Sequence, residues 1–465
     1  MKTQKLVFVL AILSLLMASC QPATTLTQPP IPTNTGAPVV PTQTSVQPTT
    51  TTTTTLAGYA QCSGAKPITA SVWTTDADSF RAAAAAYKTA TGNTVNIEEI
   101  NRDVLQEKVF TELQSKTGNV DIVFVPSEWV AQLAEGGLLE PLDSYMANKD
   151  LPQPDPNDWA SPGAVEGYKY KGTLYGMPQS MSTVGLFYRT DLIQTPPEDF
   201  DQLLGIAEEQ TKGGRYGMTI FGKIPESIAW DFINYFWGFG GQLLDENFQP
   251  HLNSPEGIAA LTYFVDLYRK YKVVPEGSPT YEYPEIVAAF QQDKVAMALQ
   301  WIGAWYDWAD KTKSPLIYNK FNATLYPGKR MPDGSVHRAT IGHVWGLAIN
   351  SASNNKQDAY CFLTYFTSEP GLRAGFANTI VASGLNSKAI LQDPEVIKNH
   401  PETPVQQKAF QYMYLWPNTT VTSELITTLA TESSAALAGT KSPQQAMDDA
   451  QAEYVKILTK AGYIK

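Results

Sequence analysis

Three times between Ile68 and Gly137 a short apolar run gives way to a helix-forming stretch, and this alternation restricts the fold more than any other feature of the chain. Ile68–Trp73 (ITASVW) reads as a strand. Asp76 or Asp78 is placed to cap the helix that follows over Ser79–Ala90, whose five consecutive alanines form helix readily, and Gly92 stops it. Thr94–Ile100 is a second strand. Asn101 then caps a helix to Lys116 that turns Val104, Leu105, Val109 and Leu113 inward. Asp121–Val125 (DIVFV) is a third, buried strand, and Ser127 caps a helix ended by Gly136 and Gly137. Repeated strand–helix units of this kind build a parallel sheet with helices on both faces.

The pattern continues less regularly. Tyr168–Tyr175 reads as a hairpin, Thr183–Tyr188 as a strand, and Asp199–Thr211 and the aromatic Ile228–Phe236 as helices. Pro255–Tyr271 is a clear amphipathic helix through Ile258, Leu261, Phe264, Val265 and Tyr268. Within Glu285–Trp305, Ile286, Ala289 and Phe290 mark one helix face, and Val295–Leu299 is an apolar run of strand length that ends in Trp301, Gly303 and Trp305. Trp345–Asn350 is a further strand, and Asn355–Thr367, Ser423–Leu437 and Ser442–Leu458 are helical.

At 465 residues the chain exceeds one core and calls for two or three domains. Its start reads as an export signal: Lys2 and Lys5, then the apolar Leu6–Met17, too short to span a bilayer, then small residues before Cys20. That ending resembles a bacterial lipobox, in which the cysteine is lipidated; Met17 departs mildly from its usual leucine. Residues 21–57 hold 14 Thr and 7 Pro and no charge, so they cannot bury enough apolar area to offset ordering and form a tether, about 110 Å long if extended. The formal charge is −11, and −13 without Lys2 and Lys5 (32 basic against 45 acidic residues), which argues against nucleic acid or an anionic membrane surface as partner. Cys62 and Cys361 are open to two readings, a disulfide of an exported protein or, for Cys361 in its apolar helix, a buried thiol.

Four blocks in order carry a resemblance: LYGMPQSMSTVGLFYRTDLI, GFGGQLLDENFQPHLNSPEGIAALTYFVDLY, FQQDKVAMALQWIGAW and WGLAINSASNNKQDAYCFLTYFTSEPG. They resemble family 1 extracellular solute-binding proteins, the maltose-binding-protein-like receptors of ABC importers, from about Ile68 to Leu458. Gln179, Arg189 and Asp293 (before Lys294) depart from the family pattern. The resemblance implies an α/β, two-lobe periplasmic-binding-protein-like fold of type II, each lobe a mainly parallel sheet flanked by helices, with the ligand cleft between lobes. Residues 1–20 would be the signal peptide, 21–61 the tether, 62–182 plus 320–375 lobe 1, and 183–319 plus 376–465 lobe 2. It also implies a monomeric, lipid-anchored extracytoplasmic receptor, in the periplasm or on the outer surface, that delivers a sugar or oligosaccharide to permease subunits without cofactor, metal or chemistry.

Other chemistries find little support. HExxH, CxxC and GxSxG are missing, and His251, His337, His343 and His400 lack ligand spacing. Gly217–Ile224 imitates a phosphate loop but ends in Ile224, without a hydroxyl for magnesium. A secreted carbohydrate-active hydrolase rests only on the abundance of aromatics and acids, since carboxylate pairs are spatial; a receptor for a polyamine or polyol is the alternative within the fold, and a structural surface protein would not need tryptophans at several strand ends. Ligands of open α/β sheets sit beyond the carboxyl ends of strands. The candidates there are Trp73, Thr75, Asp76 and Asp78 after the first strand, Glu128 and Trp129 after the third, Ser182 at the crossover, Trp230 and Trp237 on the aromatic helix, Trp301 and Trp305, and Trp345 near His343. Sugar C–H faces pack on such rings and hydroxyls need short polar partners. Asp76 and Asp78 serve equally as helix caps, and Trp129 and Trp345 equally as core. The resemblance puts Trp305 on the family's stacking tryptophan.

Overall fold

The computed structural model describes residues 59–62, 66–101, 104–377, 379 and 382–465. The export signal, Cys20 and most of the Thr/Pro-rich stretch lie outside these residues. Strands β1 (Ile68–Trp73), β2 (Val95–Ile100) and β3 (Ile122–Pro126) run parallel in the order β2-β1-β3. Helices α1 (Ala77–Thr91), α2 (Leu105–Ser115) and α3 (Ser127–Glu135) follow them in turn. The apolar face of α1 buries Phe80, Ala83, Ala84 and Tyr87, with Phe80 stacked on Phe366 at 4.3 Å, and Gly92 closes the helix at φ 82°. The expected caps differ. Asp76 holds the N-cap position of α1 without a side-chain capping bond, Asp78 turns out to Arg81 at 2.8 Å, and Pro126 rather than Ser127 precedes α3.

Beyond β3 the sheet is mixed, so the expectation of mainly parallel sheets holds for β1–β3 and otherwise only for a two-residue pairing of Met413–Tyr414 with Thr340–Ile341. The strand Thr340–Ile349 lies antiparallel to β3 and to the long strand Gly176–Arg189. Direction reverses here because these two strands carry the chain back and forth between two halves. The long strand pairs through Gly176–Thr183 with 342–348, and then through Val184–Arg189 with Met297–Trp301 on one side and Phe321–Leu325 on the other. At the changeover Thr340 ties the two strands: its Oγ1 donates to the Val184 carbonyl at 2.9 Å and accepts from the Val184 N–H at 3.2 Å. A register shift lies between Trp345 and Gly346, where a Cβ on Gly346 would stand 2.2 Å from the Met177 carbonyl oxygen. Only glycine allows that approach.

Apolar side chains gather into separate cores on either side of this crossing. One takes β1–β3, Met177, Met181, Val344–Ile349, the helix Lys356–Phe366, and then Phe376, Leu385, Ile390 and Val396. A second runs from Val184 through the helices Ser227–Gly238 and Pro255–Arg269 to Tyr326, Ala339, Ile341 and the C-terminal helices Thr422–Ala438 and Pro443–Lys460. A third joins Phe187, Phe290, Trp308 and Ala323. The lobe boundaries expected at 320 and 375 therefore differ from the packing: 321–341 goes with the second and third cores because Phe321–Leu325 pairs with the far half of the long strand, and 376–396 packs with the first core.

Two of the departures from the family pattern meet in space. Asp293 sits at φ 57°, a left-handed conformation that favours glycine, and its carboxylate binds Arg189 and, at 2.8 Å, Arg215; Arg189 also holds Asp191 at 2.6 Å.

Cys62 and Cys361 form a disulfide. The ring of Tyr59 packs between Tyr87 and Tyr365, both at 6.2 Å, and Gln357 donates to the Gln61 carbonyl at 2.7 Å, so the tether expected to reach residue 61 is already docked at Tyr59. Closing a span of 299 residues constrains the unfolded chain strongly. The double variant Cys62→Ser/Cys361→Ser is expected to lose about 2–4 kcal/mol, read as a lower denaturant midpoint with an unchanged native circular dichroism spectrum.

Candidate functional site

Where the two strands cross, aromatic rings from both sides meet on one face. His343 and Trp345 lie two apart on the strand Thr340–Ile349, so they share a face, and both are half-buried while Gly342, Val344 and Gly346 are buried. His343 pairs across the ladder with Ser182, and Trp301 pairs with Val184, two residues along the same face. Trp345 stands opposite Pro126, which brings it beside the start of α3.

The rings form a connected chain. Trp73, at the carboxyl end of β1, lies 5.6 Å from Trp345, and Trp129 lies 6.3 Å from it. The His343 ring is 5.2 Å from Trp345, 4.9 Å from Trp230 and 5.8 Å from Trp301; Trp230 and Trp301 are 5.8 Å apart. Half-buried rings in such an array keep apolar surface available to a flat C–H face. Glu128 accepts a hydrogen bond from His343 Nε2 at 3.1 Å, at 11% side-chain exposure. A depression of about 410 Å³ lies elsewhere, along Arg81, Lys88 and Val95, and touches none of these rings.

Trp230 is held by its helix neighbours. Asn234, one turn on, donates to the Trp230 carbonyl at 2.7 Å and accepts the Ile341 N–H at 2.7 Å, which pins the helix Ser227–Gly238 to the crossing strand. Asp231 is fully buried, accepting from the Phe221 N–H at 2.9 Å and the Tyr326 hydroxyl at 3.5 Å. Burial pushes its carboxyl up to about 7, although those two bonds work in the opposite direction. The folded protein therefore keeps this proton between about pH 4 and 7, whereas the unfolded chain releases it, so stability falls as pH rises across that window and levels off above it. Asp231→Asn should remove this dependence: the stability difference between variant and parent is expected to grow by about 4 kcal/mol from pH 4 to pH 8, measured by chemical denaturation.

Of the residues singled out in the sequence, Trp73, Glu128, Trp129, Ser182, Trp230, Trp301 and Trp345 come together at this face. Asp76 is half-buried at the end of the turn after β1, whereas Thr75 and Asp78 are exposed. Trp237 is buried in the second core, two turns along the helix from Trp230, which leaves little of its ring for a ligand. Trp305 is half-buried in the third core, 4.8 Å from Phe321 and 6.4 Å from Phe187. A Cβ on Gly303 would meet no atom within 4 Å, so the backbone there faces open space rather than a closely approaching chain. The sequence reading missed Trp416, which contacts both Trp230 (5.6 Å) and Trp237 (6.0 Å), and Tyr414, exposed and stacked on Trp237 at 5.2 Å. Their segment pairs by two residues with Thr340 and Ile341, too few to leave a periodic signal.

Residues 72–372, most of the folded region, match the family described as bacterial extracellular solute-binding protein. The chain belongs to that family. Among relatives of this solute-binding protein, the maltotriose-binding protein of Pyrococcus abyssi is 28% identical over 306 residues, 64% of this chain and 61% of the relative. The mannitol-binding protein of Pseudomonas aeruginosa is 26% identical over 394 residues, 79% of this chain and 86% of the relative. The match thus spans about three-fifths of the first of these relatives. Maltose-bound MalE3 of T. maritima shares the fold at TM-score 0.72 and 24% identity, over 84% of this chain and 100% of that one. A ribitol complex of a solute-binding protein from Agrobacterium radiobacter K84 does so at TM-score 0.69, over 84% of this chain and 99% of that one. The architecture is accordingly the two-lobe, type II periplasmic-binding fold, and the crossing strands are its connection.

Proposed function

We propose that this protein is the extracytoplasmic receptor of an ABC importer and that it binds a sugar, oligosaccharide or related polyol on the ring-lined face at the strand crossing, without transforming it. The observation that carries the reading is the continuous array from Trp73 and Trp129 through Trp345 and His343 to Trp230 and Trp301. It draws on both cores, so a solute held there would bridge two lobes: one of about 59–183 and 344–396, the other of 184–341 and the C-terminal helices. Trp305 joins that surface on the strength of the resemblance alone. The maltotriose- and mannitol-binding relatives and the maltose- and ribitol-bound neighbours favour neutral polyhydroxyl solutes over a polyamine. The permease subunits are the partner that this family role implies, and lipidation at Cys20 with the Thr/Pro tether would keep the receptor near them.

A thermal-shift screen over sugars, polyols and polyamines tests the reading. A solute present at 100 times its Kd stabilises the folded protein by about 2.7 kcal/mol. Stabilisation by members of the sugar and polyol set is expected; stabilisation only by polyamines would overturn the choice of solute.

A further inference from the structure

We propose that the His343–Glu128 pair reads ligand hydroxyls as hydrogen-bond donors and thereby excludes anionic solutes, such as uronic and aldonic acids or sugar phosphates, from this site. The proposal rests on the ring-lined face being the binding surface.

His343 Nε2 faces a carboxylate oxygen at 3.1 Å, and a carboxylate only accepts, so Nε2 carries the proton. The hydrogen bond on one imidazole nitrogen decides the role of the other. In the neutral ring Nδ1 is therefore an acceptor, and among the described residues it forms no hydrogen bond. The second oxygen of Glu128 is an acceptor too, and among the described residues the carboxylate has no Lys or Arg within ion-pair distance; His343 is its partner. The ring array around the pair contributes indole N–H donors and apolar faces, and Ser182, across the ladder from His343, adds one hydroxyl that both donates and accepts. A sugar hydroxyl, which can donate to Nδ1 or to the carboxylate, suits this arrangement. A ligand carboxylate or phosphate brings acceptors to acceptors and a negative charge towards Glu128. Selectivity by such a repulsive element needs no additional contact with the favoured ligand.

The test is a calorimetric comparison of maltose, maltotriose, mannitol and ribitol with acidic counterparts, maltobionate for maltose and mannonate for mannitol, on the full chain. In the parent the acids are expected to bind about a hundredfold more weakly than the matching neutral solutes. Glu128→Gln keeps the size of the side chain and an acceptor for Nε2–H but removes the charge, so the acid-to-neutral gap should narrow by about tenfold. His343→Phe keeps a ring of similar size but removes both nitrogens, and with them the Nδ1 acceptor, so neutral solutes should bind about tenfold more weakly. Equal binding of acids and neutral solutes by the parent, or a gap unchanged in Glu128→Gln, would overturn the proposal while leaving the ring-lined face as the site. Binding of neutral solutes that survives both variants and Trp230→Ala would show that the face itself is wrong, and the proposal falls with it.

Discussion

Trp230→Ala is expected to weaken solute binding by about thirtyfold or more while the ligand-free protein still melts cooperatively. The ring is half-buried, so part of its surface is already exposed in the empty protein; its partners Trp301 and His343 are half-buried members of the array, and only Trp416 belongs to the second core. The helix itself stays anchored by Asn234 and Asp231, whose hydrogen bonds do not involve the indole. Alanine removes a stacking surface for which nothing else substitutes, and truncations at such positions cost about 2 kcal/mol or more in binding. Fluorescence titration against each solute that stabilises the parent in the thermal-shift screen measures it. Unchanged affinity with a normal melting curve would move the site away from the crossing.

Trp308→Ala is expected to do the reverse, costing about 3–5 kcal/mol of folding stability with binding affected only through the unfolded fraction. Trp308 is fully buried, 4.5 Å from Phe187 and 4.7 Å from Phe290, and its indole N–H donates to the Val287 carbonyl at 3.2 Å. Removing it leaves a cavity lined by aromatic rings and deletes the indole N–H bond to Val287. Trp305, one turn earlier on the same short helix, is the informative intermediate. Its half-buried ring rests on Phe321, so Trp305→Ala divides its effect between stability and affinity according to whether the resemblance or the local packing governs it. Melting curves and titrations on the three alanine variants rank 308, 305 and 230 along that axis.

The parts of the fold that were legible in the sequence are those in which one short segment carries its own pattern. The short runs of β1 and β3 and the alanine-rich and glycine-ended helices between them made the parallel unit legible, and in β3 burial on both faces leaves an unbroken apolar signature. The long strand was read only over Thr183–Tyr188, although it begins at Gly176. Pro178, Gln179, Ser180 and Ser182 interrupt its apolar pattern; Ser180 donates to the Gln179 side-chain oxygen at 2.8 Å, and the ladder pairs this segment with 342–348. Which core 321–341 packs with was not legible at all, since it depends on pairings with residues more than a hundred positions away, such as Phe321 with Arg189.

The same distinction applies to the site. Trp73, Glu128, Trp129 and Trp301 were legible as candidates because strand ends are recognisable and the fold class places ligands beyond them; Trp345 lies inside the strand Thr340–Ile349 and reaches the same face through its pairing beside Pro126. Thr75 and Asp78 share that neighbourhood in sequence, but the turn Thr74–Asp76 and the start of α1 direct them outward, where Asp78 meets Arg81. Trp237 follows the helix period of Trp230 and still ends in the core, because two turns of rise carry it away from the crossing. The pairing of Glu128 with His343 spans 215 residues, and no local pattern announces it.

One isothermal titration tests the central claim, that this chain holds a neutral sugar or polyol without transforming it. Maltotriose, maltose, mannitol and ribitol would each be injected into the parent protein. The account predicts that at least one gives heat that saturates at one equivalent, and that the signal then returns to the dilution baseline. Heat that continues past saturation at a steady rate, as turnover produces, or no saturable heat from any of the four, would contradict it.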